Sequence, residues 1–444
     1  MDKKRKTIIV LALLLTFTLT FTIASQAEVK NMIVLIGDGL GMGQIDMTRY
    51  FDQGKDGELE LMKLPNNGIM MTSSVDGVTD SAAAGSAMAT GHKTKNGMVA
   101  MTPDGEEVDS VLDFAKEKGK ATGIISSNKV HDATPAAFAA SAEDRGMDAD
   151  LTRDIIENEV DVVLGGGGGD FSDEVMNLAK EKGYEHVTTE DELANTDSDK
   201  ILGLFNESYM NYILDRDDYN SQEPSVYEMT KKAIDVLSKD EDGFFLMSEG
   251  ARIDHAAHAA DIPGVVAETL DFDRAVKHAV DWAKENGDTL VVVVADHETM
   301  GFSVTEPINK EGLKDIEVSP EYMASKMIEN DNGKGFLIGS IKDVFKEYAG
   351  VELTDNEAKE FNQSVLQDDD SLKYTYLIGW EIGSVISEKH NVGVLSSDVR
   401  AKSSTGGHTL NSVPIFAYGE GSEEFNDVMQ NTEFAEILFE ALGK

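Results

Sequence analysis

The chain has 444 residues, 41% of them hydrophobic and 27% charged, which excludes global disorder and is enough for one large domain with insertions or for two domains. Its 82 acidic against 39 basic residues, a formal net charge of −43, exclude nucleic acid as a partner, because no basic patch is left to neutralise phosphates. The absence of cysteine excludes disulfides, thiolate metal sites and a cysteine nucleophile, so any metal is held by histidine and carboxylate, a donor set that suits Zn2+ and Mg2+.

In chain order, Lys3, Lys4, Arg5 and Lys6 precede an apolar run from Thr7 to Ala24, and Ser25-Gln26-Ala27 then offers small residues at a cleavage site. Residues 1–27 read as a signal peptide and 28–444 as the folded part, although the length of the run also allows an uncleaved anchor. No other stretch approaches the roughly 18 apolar residues of a membrane span. The expected protein is therefore exported, either periplasmic or secreted, and free of the membrane once the leader is removed. The leader carries +3, leaving −46 on the rest, which reads as solubility through solvated carboxylates or as adaptation to a saline habitat.

Short apolar runs that end in glycine or acid read as buried strands: Asn31–Ile36, Ala121–Ser126, Asp161–Leu164, Phe244–Met247, Thr289–Ala295 and Val413–Tyr418. Between them, Ser110–Lys118, Tyr227–Leu237 and Glu268–Lys284 have helical spacing. This alternation predicts an α/β fold, a doubly wound, mostly parallel sheet covered by helices on both faces. Two regions read as insertions. Glu190–Glu223 is polar and acid-rich, a surface excursion. Residues from Gly301 to about Thr405 carry helical patterns near Glu321–Glu329, Ile341–Tyr348, Asn356–Leu366 and Leu377–His390, and are expected to form a lid or crown-like subdomain over the ligand edge of the sheet. The run Gly165–Gly169 lacks the Gly-Lys-Ser/Thr ending of a nucleotide loop and reads as a flexible turn.

Ligands of such sheets bind beyond the carboxyl ends of the strands, and three strands here run into acid there: Asp38, Glu249 and Asp296, the last beside His297. One such residue is ordinarily a turn or helix cap; three at one edge fit a metal site better. If a helix starts near Ala251, Asp254 and His258 share a face at i, i+4, a spacing that suits a divalent metal or, equally, a solvated amphipathic helix. His408 follows Gly406-Gly407, small residues that would let the backbone pass close to an ion, or simply turn. Asp80-Ser81 opens a run of small residues, Ala82 to Ala89, that reads as a helix. Ser81 then sits where unpaired N–H groups favour an anion, or serves merely as a cap. No histidine lies near it in sequence, but a coordinated metal could activate a serine.

With those residues assembled, the chain resembles the alkaline phosphatase family from Asn31 to about Gly419. The motifs that carry the likeness are Ile36-Gly-Asp38-Gly-Leu-Gly41, Thr79-Asp-Ser81-Ala-Ala and Asp132-Ala-Thr134-Pro-Ala-Ala. They continue as Glu249-Gly-Ala-Arg-Ile-Asp254-His-Ala-Ala-His258, Ala295-Asp296-His297-Glu298 and Thr405-Gly-Gly-His408-Thr, all in the family's order. The resemblance implies hydrolysis of small-molecule phosphate monoesters at alkaline pH through a phosphoserine at Ser81, with two Zn2+ and one Mg2+. It implies that Asp254, His258 and His408 hold one zinc, and that Asp296, His297 and Asp38 hold the other. Asp38 would also bridge to a magnesium held with Thr134 and Glu249, with Asp132 close by. Arg145, eleven residues after Thr134, falls at the family's phosphate-binding arginine. His255 would contact phosphate through water. Asp132 is an acid where some relatives have histidine, which favours Mg2+ over Zn2+. Relatives include monomers and homodimers. A sulfatase would need a Cys/Ser-x-Pro-x-Arg setting where Ser81-Ala-Ala-Ala-Gly stands; diesterases of this fold use threonine; a phosphoglycerate mutase is not normally exported; a non-enzymatic scavenger would need no nucleophile.

Overall fold

The computed structural model describes residues 29–444 apart from 307, 332–333 and 368–370, so the expected signal peptide lies outside the described residues. Its strands are β1 (Asn31–Gly37), β2 (Asn66–Met71), β3 (Ala121–Lys129), β4 (Val162–Gly166), β5 (Glu185–Val187) and β6 (Ile201–Leu204), followed by β7 (Phe244–Gly250), β8 (Thr289–Val294), β9 (Glu298–Thr299), β10 (His408–Thr409), β11 (Val413–Gly419) and β12 (Val428–Gln430). Among the described residues ten of them form one sheet in the order β12-β2-β11-β8-β1-β7-β3-β4-β6-β5, and β9 and β10 pair apart from it. Only β11 runs against its neighbours. The chain is an α/β protein with a mostly parallel central sheet and helices on its faces.

The central strands are runs of Val, Ile, Leu, Met and Phe that are buried on both faces, as a strand under two helical layers must be. Their register carries the chemistry. Ile36 of β1 lies opposite Val294 of β8 and Glu249 of β7, and Glu249 lies opposite Ser126 of β3. Asp38 and Asp296, each two residues further on, therefore emerge level with one another at the carboxyl edge.

A second apolar cluster sits away from the sheet. Helices Pro320–Ser325, Ile338–Ala349, Asp355–Ser364 and Thr375–Lys389 bury Phe345, Phe361 and Ile382 among themselves. They dock on Met47, Phe51 and the start of helix Ile262–Asn286. No helix among the described residues is long and apolar enough to cross a membrane.

Three local readings are corrected. Glu190–Glu223 is not a surface excursion: it contains β6, fully buried and paired with both β4 and β5, and it also buries Met210 and Tyr212. Three apolar residues and a glycine leave too short a pattern to detect. The glycine run is not a free turn either, since Gly165 and Gly166 belong to β4. A Cβ at Gly166 would lie 2.4 Å from the Ser208 carbonyl, so only glycine lets that loop pass. Helix Ile262–Asn286 begins six residues before the expected Glu268, because Asp261 caps it through the Gly264 N–H and Pro263 fits its first turn.

Candidate active site

Ser81 is the first residue of a ten-residue helix, Ser81–Thr90, capped by the Asp80 carboxylate, which accepts from the Ala83 N–H at 3.0 Å. The small side chains of this helix let it bury completely against helix Ala133–Ala139, and a Cβ at Gly85 would already lie 3.2 Å from the Thr134 backbone. The serine is thus held at the positive end of a rigid, buried helix. Its Oγ lies 3.3 Å from His297 Nε2, an imidazole delivered 216 positions later by the end of β8.

Two donor groups flank it. Asp254, His258 and His408 converge within 4.8 Å, as do Asp38, Asp296 and His297, and all six are buried. Within the first, His258 Nε2 lies 3.1 Å from Asp254 Oδ2 and 3.1 Å from His408 Nε2. Within the second, His297 Nε2 lies 3.1 Å from Asp296 Oδ2 and 3.5 Å from Asp38 Oδ1. In each histidine the other ring nitrogen has its own partner. His258 Nδ1 meets the Gly406 carbonyl at 2.8 Å, His408 Nδ1 meets the Thr79 carbonyl at 2.9 Å, and His297 Nδ1 meets Thr299 Oγ1 at 3.3 Å. Those contacts orient the rings with Nε2 toward the cluster, the outer arrangement characteristic of metal-ligating histidines. Gly406, at φ +75, makes its contact possible, since a Cβ there would meet the His258 ring at 3.0 Å.

The electrostatics are those of a site built for cations. Burial, reinforced by Asp296, raises Asp38 well above the usual carboxylate range. Burial and the charge of Asp254 raise Asp296 to about 7, and burial raises Glu249 to about 8. Burial also pushes His297 down to about 4. Buried Asp38 Oδ1, Asp296 Oδ2 and Thr134 Oγ1 make no hydrogen bond. Clustered carboxylates, converging imidazole nitrogens and orphaned oxygens fit divalent metals, whose charge would compensate that of the carboxylates.

The third expected group is looser. Glu249 accepts from Ser126 Oγ at 2.5 Å, and Thr134 is the second residue of helix Ala133–Ala139. Asp132 is engaged elsewhere, with Oδ2 accepting from Asn128 at 2.5 Å and Oδ1 from Arg145 at 2.8 Å. Arg145 reaches into a cavity of about 400 Å³ with Ser81, His255, His258 and His408 on its wall. The Arg252 guanidinium lies 2.6 Å from His255 Nδ1, and burial together with that cation lowers His255 to about 4. A larger hollow, about 720 Å³ between helices Asp355–Ser364 and Thr375–Lys389, contains none of these residues.

Sequence reasoning missed part of the cavity wall. Trp380 stacks on His258 with ring centres 4.7 Å apart, Tyr209 abuts His255 at 5.1 Å, and Tyr376 and Glu321 close the rim. Arg252 is also new, stacked 3.6 Å from the Tyr212 ring and 3.3 Å from Glu321. Its place inside a recognised motif was the one available signal.

The comparisons agree on kinship. The family model described as alkaline phosphatase matches residues 29–444. Alkaline phosphatase 4 of Bacillus subtilis is 36% identical over 437 residues, covering 94% of this chain and 89% of its own length. Alkaline phosphatase 3 of the same organism is 34% identical, with 94% and 90% covered. Among solved structures, the Thermus thermophilus alkaline phosphatase superposes with a TM-score of 0.82 at 27% identity, covering 94% of this chain and 92% of that one. A cold-active alkaline phosphatase from a psychrophilic Shewanella gives 0.79 at 28%, covering 93% and 100%.

Proposed function

The chain belongs to the alkaline phosphatase family and hydrolyses phosphate monoesters, and on that premise we propose that Ser81 is its nucleophile, that the reaction passes through a phosphoserine at alkaline pH, and that two Zn2+ and one Mg2+ serve it. The observation that carries this reading is the placement of Ser81 Oγ at a helix N-terminus on the cavity wall, 3.3 Å from His297 Nε2 and beside Arg145. Asp254, His258 and His408 would hold one zinc, Asp38, Asp296 and His297 the other, and Glu249, Thr134 and Asp132 the magnesium with help from Asp38. Bound there, the ions would supply Lewis-acid polarisation and neutralise charge on the attacking and departing oxygens. A solved structure of a TAB5 alkaline phosphatase mutant with aspartate in place of a histidine, 28% identical over 94% of this chain with a TM-score of 0.66, has Mg bound in its M3 site, which supports magnesium as an ion this fold can hold.

The chain's own residues position and orient. Arg145 presents a planar fork to two phosphoryl oxygens. Ser81 Oγ gives up its proton and bonds to phosphorus as the ester P–O bond breaks, and the departing alkoxide takes up a proton. Water then attacks the same phosphorus and gives up a proton as the Ser81 O–P bond breaks, the serine oxygen takes up a proton, and the free serine is regenerated while inorganic phosphate is released. Buried walls fix the nucleophile in one geometry, which supplies much of the acceleration without movement. We read residues 301–405 as a lid that narrows the cavity through Glu321, Tyr376 and Trp380, and residues 1–27 as the export leader.

The test is hydrolysis of a chromogenic aryl phosphate at pH 9–10 by native protein, by a chelated sample restored with Zn2+ and Mg2+, and by Ser81→Ala. Activity lost on chelation, regained with metal and reduced roughly 1,000-fold or more in the variant is expected. Undiminished turnover in Ser81→Ala would refute the assignment.

A further inference from the structure

We propose that His131, Asp148 and Asp170 form an additional divalent-cation site, separate from the catalytic groups and of the Zn2+ or Co2+ class. His131 is 0% exposed, yet neither of its ring nitrogens makes a hydrogen bond. A fully buried imidazole whose Nε2 is aimed at carboxylates without a hydrogen bond is rare and calls for a ligand at that nitrogen. The ring is fixed by its surroundings: Phe171 meets it edge-on at 5.7 Å, and Gly167, at φ +87, leaves the space where a Cβ would come within 2.6 Å of Cε1. The glycine run that reads in sequence as a flexible turn thus serves here to seat an imidazole.

Nε2 points at two carboxylates, 3.3 Å from Asp170 Oδ2 and 3.5 Å from Asp148 Oδ1, and the three donors lie within 4.8 Å of one another. These are the separations found inside the catalytic donor groups, 3.1 to 3.7 Å. They match the edge of a coordination polyhedron with bonds of about 2.0–2.1 Å. One imidazole with two carboxylates is a borderline donor set that selects Zn2+ or Co2+ over Ca2+. Asp148 and Asp170 remain partly exposed, which leaves an entry path and room for water ligands. Lys129 Nζ lies 2.7 Å from the same Asp170 oxygen, so an entering cation competes with an ammonium, and the affinity is lower than at the catalytic groups. An ion here fastens three segments together: the end of β3, the glycine loop, and the start of helix Asp148–Glu157, three residues beyond Arg145.

Equilibrium dialysis of the mature protein against micromolar free Zn2+ with excess Mg2+, followed by elemental analysis, tests this. The wild type should hold about one zinc per chain more than Asp148→Asn/Asp170→Asn, whose changes lie at the surface and preserve the fold. His131→Gln should lose the same single equivalent. Lys129→Met, which removes the competing ammonium and no donor, should keep it. Equal zinc contents in wild type and the folded double aspartate variant, or loss of the equivalent in Lys129→Met, would overturn the site.

Discussion

Arg145 Nη2 donates to Asp132 Oδ1 at 2.8 Å while Nη1 lies 3.4 Å from Asp80 Oδ2, so the one guanidinium on this side of the cavity is suspended between two carboxylates. Burial alone would raise Asp132, but the cation beside it brings the carboxyl to about 2. Both groups are therefore charged throughout the working range, and Arg145 is held in place before any phosphate arrives. Arg145→Ala should raise KM and the inhibition constant for phosphate by roughly 10- to 100-fold, the worth of one or two charge-assisted hydrogen bonds. Arg145→Lys should recover only part of that, since a point charge cannot span two oxygens. Steady-state kinetics with phosphate as inhibitor decide it, and unchanged constants in the alanine variant would remove Arg145 from substrate binding.

His255 sits across the cavity with its Nδ1 beside the Arg252 guanidinium, and its own pKa is down at about 4. At alkaline pH it contributes no charge toward phosphate. His255→Lys adds a longer cationic side chain at this wall and should tighten product inhibition by phosphate about 3- to 10-fold, slowing release. An unchanged inhibition constant would show that His255 takes no part in holding phosphate.

Much of this site was legible in the sequence because its chemistry lies where apolar strands stop. Asp38, Glu249 and Asp296 each terminate or directly follow such a run, and Asp254 with His258 announces itself by helical spacing. What stayed hidden depends on distance along the chain. Trp380 reaches the cavity from a segment more than 100 residues beyond the His258 it stacks on, and Tyr209 from one more than 40 residues before the His255 it abuts, with no local pattern to single them out. The same holds for β6, where Ile201, Leu202, Gly203 and Leu204 become a sheet strand only because β4 and β5 are ready to pair with them. Asp132 was read as a neighbour of the third ion; its bond to Arg145 could not be read from spacing.

Metal removal should cost stability as well as activity. Without cations, Asp38, Asp254 and Asp296 crowd together out of water, a placement that is unfavourable unless opposite charge compensates it. Ions bound at about 1,000 times their dissociation constants add about 4 kcal/mol each, and for a chain of this length the sum amounts to on the order of 10 °C in melting temperature. Calorimetry of chelated and metal-restored protein should show that difference. Coincident melting curves would mean that the clusters do not retain metal.

Away from the metal groups, Asp261 and Glu268 are buried in the seam between helix Ile262–Asn286 and the second apolar cluster. Burial raises Asp261 to about 8 and Glu268 to about 7. A carboxyl whose folded pKa is raised stabilises the fold fully below its unfolded value near 4, and that stability is lost as pH climbs through the folded value. Thermal stability should therefore decline between about pH 4 and pH 8. Asp261→Asn keeps the acceptor for the Gly264 N–H and cannot ionise, so it should flatten its share of the decline and melt higher than wild type at pH 9. Parallel pH profiles for the two proteins would show that Asp261 is not the titrating group.

Asp132→His tests the third metal from the donor side. Aspartate offers a hard oxygen, which suits Mg2+, whereas an imidazole shifts preference toward Zn2+. The exchange also removes the carboxylate from Arg145, whose remaining acidic partner in the cavity is then Asp80, 3.4 Å away. Elemental analysis after loading with both metals should show zinc rising by about one equivalent at magnesium's expense. Stimulation of activity by added Mg2+ should fall in step, and KM should rise because the freed arginine loses its fixed orientation. Metal ratios identical to wild type would mean that Asp132 serves Arg145 alone and lies outside the third site.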